Sequence, residues 1–166
     1  MEYRAKGFTL IELLLYIACA SVILLLGGSF LHMVLETRVR QEVMSTVEEE
    51  GRFAMNTIIA EIRTASHVAA PLPAITSTSL LLDMPGGTQE TFVLSGTVLV
   101  FTRGVNPSLS LTSNLVEISN LQFQNVSAEN AGDSIKITFT LSHVNSSNKS
   151  EYTYVQTFTS ATTIRP

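Results

Sequence analysis

The chain has 166 residues, 45% of them hydrophobic and 14% charged, with a formal net charge of −4. That length suits one globular domain beside a long helix, and the acidic balance removes the basic surface that direct nucleic-acid binding uses. The only cysteine, Cys19, excludes an intrachain disulfide, so a folded region must hold together by packing.

Residues 1–7 are a short polar stretch containing Arg4 and Lys6. Phe8-Thr9-Leu10-Ile11-Glu12 then leads into an apolar run from Leu13 to Leu31 with no charged residue. Residues 8–35 are expected to form a helix long enough to cross a bilayer. The basic pair before it predicts a cytoplasmic N-terminus, with the rest of the chain outside the cytoplasm. Glu12 is a carboxylate just inside the span, a costly placement unless the charge has a partner. Ala18-Cys19-Ala20 has the small-x-small shape of a secretory cleavage site, yet the apolar run continues past it. The apolar Val22 to Leu26 is also unlike the polar tether that follows a lipidated cysteine, so Cys19 reads as a small apolar residue of the helix. Gly27 and Gly28 weaken the helix by roughly 0.8–1 kcal/mol each relative to alanine. They read either as a point of flexibility or as a place for close helix packing.

From Glu36 to Val68 there is no proline and one glycine, Gly51. Val39, Val43, Val47, Ala54, Ile58, Ile62 and Ala65 share one helical face, with Arg38, Glu42, Glu49, Arg52, Asn56 and Arg63 opposite. Glu48 precedes Arg52 by one turn, the favourable order for a helical ion pair. Phe53 sits at the edge of the stripe and is expected either to cover the margin of the head or to reach a neighbouring subunit, the first being the commoner fate of an aromatic residue. An amphipathic outer half of the same helix is therefore predicted over 36–70, ending near 66–70 because Pro71 and Pro73 follow. A continuous helix from Thr9 to Val68 would be about 90 Å long at 1.5 Å per residue.

The period then changes to that of strands over 71–166. Ser79 to Met84 reads as a strand, and Thr91 to Leu94 and Thr97 to Thr102 flank a Ser95-Gly96 hairpin turn. Val116 to Val126 alternates with a slip near Asn120, and Ser134 to His143 alternates strictly. Tyr152, Tyr154, Gln156, Phe158 and Ser160 share one face of a last strand, after the polar hairpin loop of residues 145–150. The fold class is α+β: a long N-terminal helix, membrane half plus amphipathic half, packed on a C-terminal antiparallel β-sheet head.

Catalytic chemistry finds no support. His32, His67 and His143 have no cysteine or nucleophile motif beside them, and their spacing makes no metal site. Residues 129–133, Glu-Asn-Ala-Gly-Asp, lack calcium-loop spacing and read as a plain turn. No cofactor, no metal and no enzymatic activity are expected.

The segment Lys6-Gly7-Phe8-Thr9-Leu10-Ile11-Glu12 with its apolar run resembles the processing signal of the type IV pilin and pseudopilin family. The resemblance implies cleavage by a prepilin peptidase between Gly7 and Phe8 and methylation of the new N-terminal Phe8. It also implies that Glu12 neutralises the amino terminus of a neighbouring subunit as a filament grows, and that Gly27 and Gly28 give the helix flexibility. Within the family, Glu50-Gly51-Arg52-Phe53-Ala54-Met55 with Ile62-Arg63, and residues 116–123, look like the J-class pseudopilins and W-type minor pilins. The implied function is a non-enzymatic minor subunit, priming or capping a type IV pilus-like or type II secretion filament. The implied partners are other pilin subunits, the prepilin peptidase and an inner-membrane assembly platform, with residues 1–7 as leader and the protein in the bacterial inner membrane. A major pilin, or a single-pass anchored extracellular binding module, are the alternatives.

Overall fold

The computed structural model describes residues 9–127 and 132–165. The chain divides into two compact units, one ending at Val39 and the other starting at Arg40. Helix α1, Leu10–Thr64, contributes to both.

In the first unit, α1 is apolar and exposed along its length. Leu10, Ile11, Leu24, Leu25 and Phe30 all present their side chains outward. A helix that is hydrophobic all round belongs in lipid rather than water, and this stretch is long and apolar enough to cross a membrane. Its hydroxyls bond back to the helix itself. Ser21 donates to the Ala18 carbonyl at 2.8 Å, and Ser29 to the Leu25 carbonyl at 3.0 Å. In hydrocarbon, a polar group satisfied within its own segment avoids a cost of several kcal/mol.

In the second unit, residues 40–64 of α1 lie on antiparallel β-structure. Val43, Val47, Ala54, Ile58 and Ile62 are buried, as the helical stripe predicts, and Met55 joins them. The head contains two sheets where the sequence suggested one. The first has the order β1-β3-β4-β5-β6, and the second β2-β7-β8-β9. Here β1 is His67–Ala70, β2 Thr76–Ser77, β3 Ser79–Asp83, β4 Gln89–Ser95 and β5 Val98–Arg103. The remaining strands are β6 Leu109–Ser110, β7 Val116–Asn125, β8 Ser134–His143 and β9 Val155–Thr163. The strands β2 and β6 were not foreseen, because two residues carry no readable period. The sheets meet where the loop before β5 reaches β7: the Ile118 N–H donates to the Thr97 carbonyl at 2.8 Å. Between sheets and helix lies one core that includes Leu80, Leu82, Phe92, Leu99, Ile118, Phe123, Ile137 and Phe139.

Three local details follow from residue chemistry. The β4–β5 hairpin pairs Ser95 with Val98, leaving Gly96 first in a two-residue loop with φ 65°, the position where hairpin turns require glycine. The register of β7 on β8 shifts between Ser119 and Gln122, and Asn120 there has φ 53°. This bulge is the slip foreseen near Asn120, and asparagine tolerates the left-handed region. Gly51 faces the ring of Phe158, with three ring carbons 2.2–2.8 Å from where a Cβ would stand. The absent side chain lets β9 lie close beneath the helix, and Phe158 stacks on Phe139 with centroids 5.4 Å apart.

Two predicted boundaries are corrected. The helix ends at Thr64 rather than near 66–70, and residues 67–70 are β1. The Ser66 N–H is taken by the Asp83 carbonyl at 2.7 Å and the Val68 N–H by the Asp133 carboxylate at 2.8 Å, so the donors are satisfied outside the helix. Pro71 also biases Ala70 towards extended backbone. The last strand starts at Val155, after a 3-10 turn over Ser150–Tyr152. The Asn145 amide donates to the Lys149 carbonyl at 2.8 Å and to Thr153 Oγ1 at 3.0 Å, holding the loop closed beyond Tyr152.

Gly51→Leu is expected to destabilise the full-length protein in detergent by about 2 kcal/mol, the usual scale of overpacking. Phe158→Ala combined with it should recover part of that loss in a denaturant-unfolding cycle. Strictly additive losses would show that the two residues do not share the space.

Candidate functional site

Gly7 and Phe8, the expected cleavage and methylation residues, lie outside the described residues. Thr9 precedes α1, and its carbonyl accepts the Leu13 N–H at 3.2 Å. Glu12 is in the first turn of the helix and is half-buried, while its apolar neighbours are exposed. A carboxylate near a helix N-terminus is favoured by the free N–H groups there, by roughly 0.3–1 kcal/mol. That is less than the cost of roughly 2.5–3.5 kcal/mol that insertion scales assign to an acidic side chain at a span's centre. Glu12 lies at the edge of the run, in the first turn, where the cost is smaller than at the centre. Apolar residues such as Leu, Ile and Val each contribute roughly −0.3 to −0.6 kcal/mol towards insertion, and their number in this run outweighs one acid.

Gly27 and Gly28 are both helical, so α1 runs unbroken through them. A Cβ at either position would meet nothing within 4 Å. Their small size serves no packing within the chain's described residues. Cys19 is free and exposed on the same stretch. Beyond it, His32 approaches Glu36 at 3.0 Å across one turn.

In the head, α1 is tied to the sheets by ionic contacts that periodicity did not reveal. Arg103 at the end of β5 donates from Nη2 to Glu61 of α1 at 2.9 Å and from Nε to Glu90 of β4. Glu90 is 1% exposed, and its Oε2 has no hydrogen-bond partner. Burial pushes the Glu90 carboxyl above the ordinary glutamate range, and the charge of Glu61 adds to the rise against the pull of Arg103. Arg103 is in turn raised, chiefly by its hydrogen bond to Glu90. The signal for this cluster was present: Glu90 occupies an inward position two residues before Phe92, where alternation demands an apolar residue. A second tie joins Glu50 to the backbone N–H of Ser113 at 2.9 Å and to its hydroxyl.

Phe53 is 57% exposed and borders an open groove with Thr46, Glu49 and Glu50. It does not cover the margin of the head as expected, because the stripe centred on Ala54 and Ile58 turns it away from the sheets. His67 pairs with Asp133 at 2.6 Å, and His143 lies 6.1 Å from Tyr152, ring to ring. Among the described residues no group of three or more His, Cys, Asp or Glu could hold a metal ion. Of the proposed turn at 129–133, only Gly132 and Asp133 are described.

With this geometry in place, comparison adds one finding. The model of the prokaryotic N-terminal methylation motif matches residues 3–28. The chain thus carries the motif of a type IV pilin-like precursor, a class that is in general structural rather than enzymatic. That motif implies assembly with other pilin subunits and processing by a prepilin peptidase, and with the apolar helix it suits a membrane-anchored, single-pass protein. No curated protein and no solved structure matches the chain.

The raised Glu90 sets a pH dependence. An acid whose folded pKa exceeds its unfolded value holds its proton more tightly in the native state. Stability therefore falls as pH rises through the window between the two values and grows on acidification through it. The wild type is expected to gain in melting temperature relative to Glu90→Gln as pH is lowered from about 7 towards 4.5, the ordinary glutamate value. A difference that moves the other way would show that Glu90 is not raised.

Proposed function

We propose that this protein is a non-enzymatic minor subunit that primes or caps a filament of the type IV pilus or type II secretion pseudopilus kind. The observation that carries this reading is the methylation motif at residues 3–28 running directly into an apolar helix whose first turn holds Glu12. In this reading the peptidase cuts between Gly7 and Phe8 and methylates Phe8. The span 8–35 holds the subunit in the inner membrane with the head outside the cytoplasm, until an assembly platform moves it into the filament. Glu12 then meets the cationic amino terminus of a neighbour. Each charge alone in lipid costs several kcal/mol, and pairing offsets much of this. Gly27 and Gly28 allow the helix to bend or loosen during transfer, since glycine has the weakest hold on helical backbone after proline. The minor role draws support from the absence of a C-terminal cysteine pair, Cys19 being the single cysteine.

The N-terminal peptide mass, measured in cells with and without a prepilin peptidase, tests the class. The expected species is N-methylated Phe8 that disappears without the peptidase; an N-terminus unaffected by the peptidase would leave only an anchored head. Glu12→Leu should insert and be processed normally, yet lower incorporation into filaments by about tenfold or more, as the loss of 1.4 kcal/mol or more of pairing energy would do. Normal filament incorporation of that variant would sink the pairing role.

A further inference from the structure

Among the described residues, Glu90 is the only charged side chain that is buried. Its partners in register are Leu82 of β3 and Arg103 of β5. The charged groups that face it are Arg103 and, from α1, Glu61. Asp83, next to Leu82, lies on the other face of the sheet, where it accepts from the Gln89 amide at 2.9 Å.

Arg103 donates from Nε to Glu90 Oε1 and from Nη2 to Glu61 Oε1, the latter at 2.9 Å. Glu90 Oε2 is left over, buried and with no protein partner. The Glu61 side chain stands within hydrogen-bonding reach of the Glu90 carboxyl. Two carboxylates accept only, so a hydrogen bond between them needs a proton on one. With all three groups ionised, the two carboxylates outnumber the guanidinium and a charged oxygen is buried without a donor, which is costly. A single proton neutralises the cluster and supplies that donor. A metal ion fits less well: a guanidinium already occupies the cluster, and no third acidic, histidine or cysteine ligand joins it among the described residues.

We infer that Glu90 and Glu61 hold one proton between them, carried on Glu90 Oε2 and donated to the Glu61 carboxylate, and that it closes a ring with Arg103 fastening the last turns of α1 to β4 and β5. The inference rests on the geometry of the head and is independent of the filament reading. Arg103 keeps both of its bonds when the proton binds, because it uses Oε1 and the proton uses Oε2. When the proton leaves, the two carboxylates repel and Arg103 alone must hold them. Ile58 and Ile62, on either side of Glu61 in sequence, are buried in the core, so the break loosens that end of the helix on the first sheet. Such a proton belongs to the pair rather than to one residue. Burial and the charge of Glu61 both raise the Glu90 carboxyl. The fastening is therefore complete below the ordinary glutamate value of 4.5 and weakens as pH rises from there to the folded midpoint.

A pH titration of full-length protein in detergent, with carbon-13 in its glutamate side chains, tests this together with hydrogen exchange. One glutamate is expected to titrate above 4.5, to vanish from the spectrum in Glu90→Gln and to move to lower pH in Glu61→Gln. Glu61→Ala takes the place of Glu61→Gln if that variant does not melt cooperatively. After correction for the intrinsic exchange rate, opening at the amides of residues 58–64 should grow through that window by up to about tenfold per pH unit. In Glu90→Gln, whose amide donates permanently where the proton would, opening should stay level. A Glu90 that titrates at the ordinary value, or a midpoint unmoved by loss of the Glu61 carboxylate, would overturn the inference. So would opening that changes equally along β8, since the effect would then be one of global stability.

Discussion

One helix has to satisfy two solvents, and the rest of the molecule follows from that demand. Over residues 10–35, α1 is apolar and exposed on nearly every side, and Ser21 and Ser29 bond to its own carbonyls. Over residues 40–64 it keeps an apolar stripe on one face only, and that stripe needs a cover. The two sheets are the cover. Because the helix is the element common to both units, its sequence sets where membrane chemistry stops and water-facing chemistry begins. The change falls in the charged stretch from Glu36 to Arg40.

With Cys19 the single cysteine, the head is held without an intrachain disulfide, by close approach and by ionic ties at the rim. At Gly51 the helix gives up a side chain so that Phe158 can lie against its backbone, which brings the second sheet near. At the other sheet Arg103 links Glu61 of the helix to Glu90 of β4. Glu90 is the buried member of this tie, and removing Arg103 would strand it without its partner. The tie joins α1 to both β4 and β5 through one side chain.

The legible parts were those where a period persists. The stripe Val43, Val47, Ala54, Ile58, Ile62 repeats over several turns, and β8 alternates over its whole length, so both could be read with their partners unknown. What escaped reading depends on partners distant in sequence. Ser66 leaves the helix because Asp83 offers a carbonyl, and Val68 because Asp133 offers a carboxylate. The division into two sheets was hidden for the same reason, since strand pairing is not encoded in any one strand. At the N-terminus the motif around Glu12 was readable as a spacing of residue types, while the partner charge proposed for it would belong to another molecule.

The bulge in β7 has a further meaning. Val116, Ile118, Leu121, Phe123 and Asn125 all face inward, although the spacing between Ile118 and Leu121 is odd. Without Asn120 the strand would alternate perfectly, with the same five residues on the inside. The residue is thus an extra beat in an otherwise regular rhythm, absorbed at one point instead of turning half the strand inside out. Loss of that one residue would leave the core-facing set of the strand in place, so position 120 is a seam in the alternation rather than part of the core.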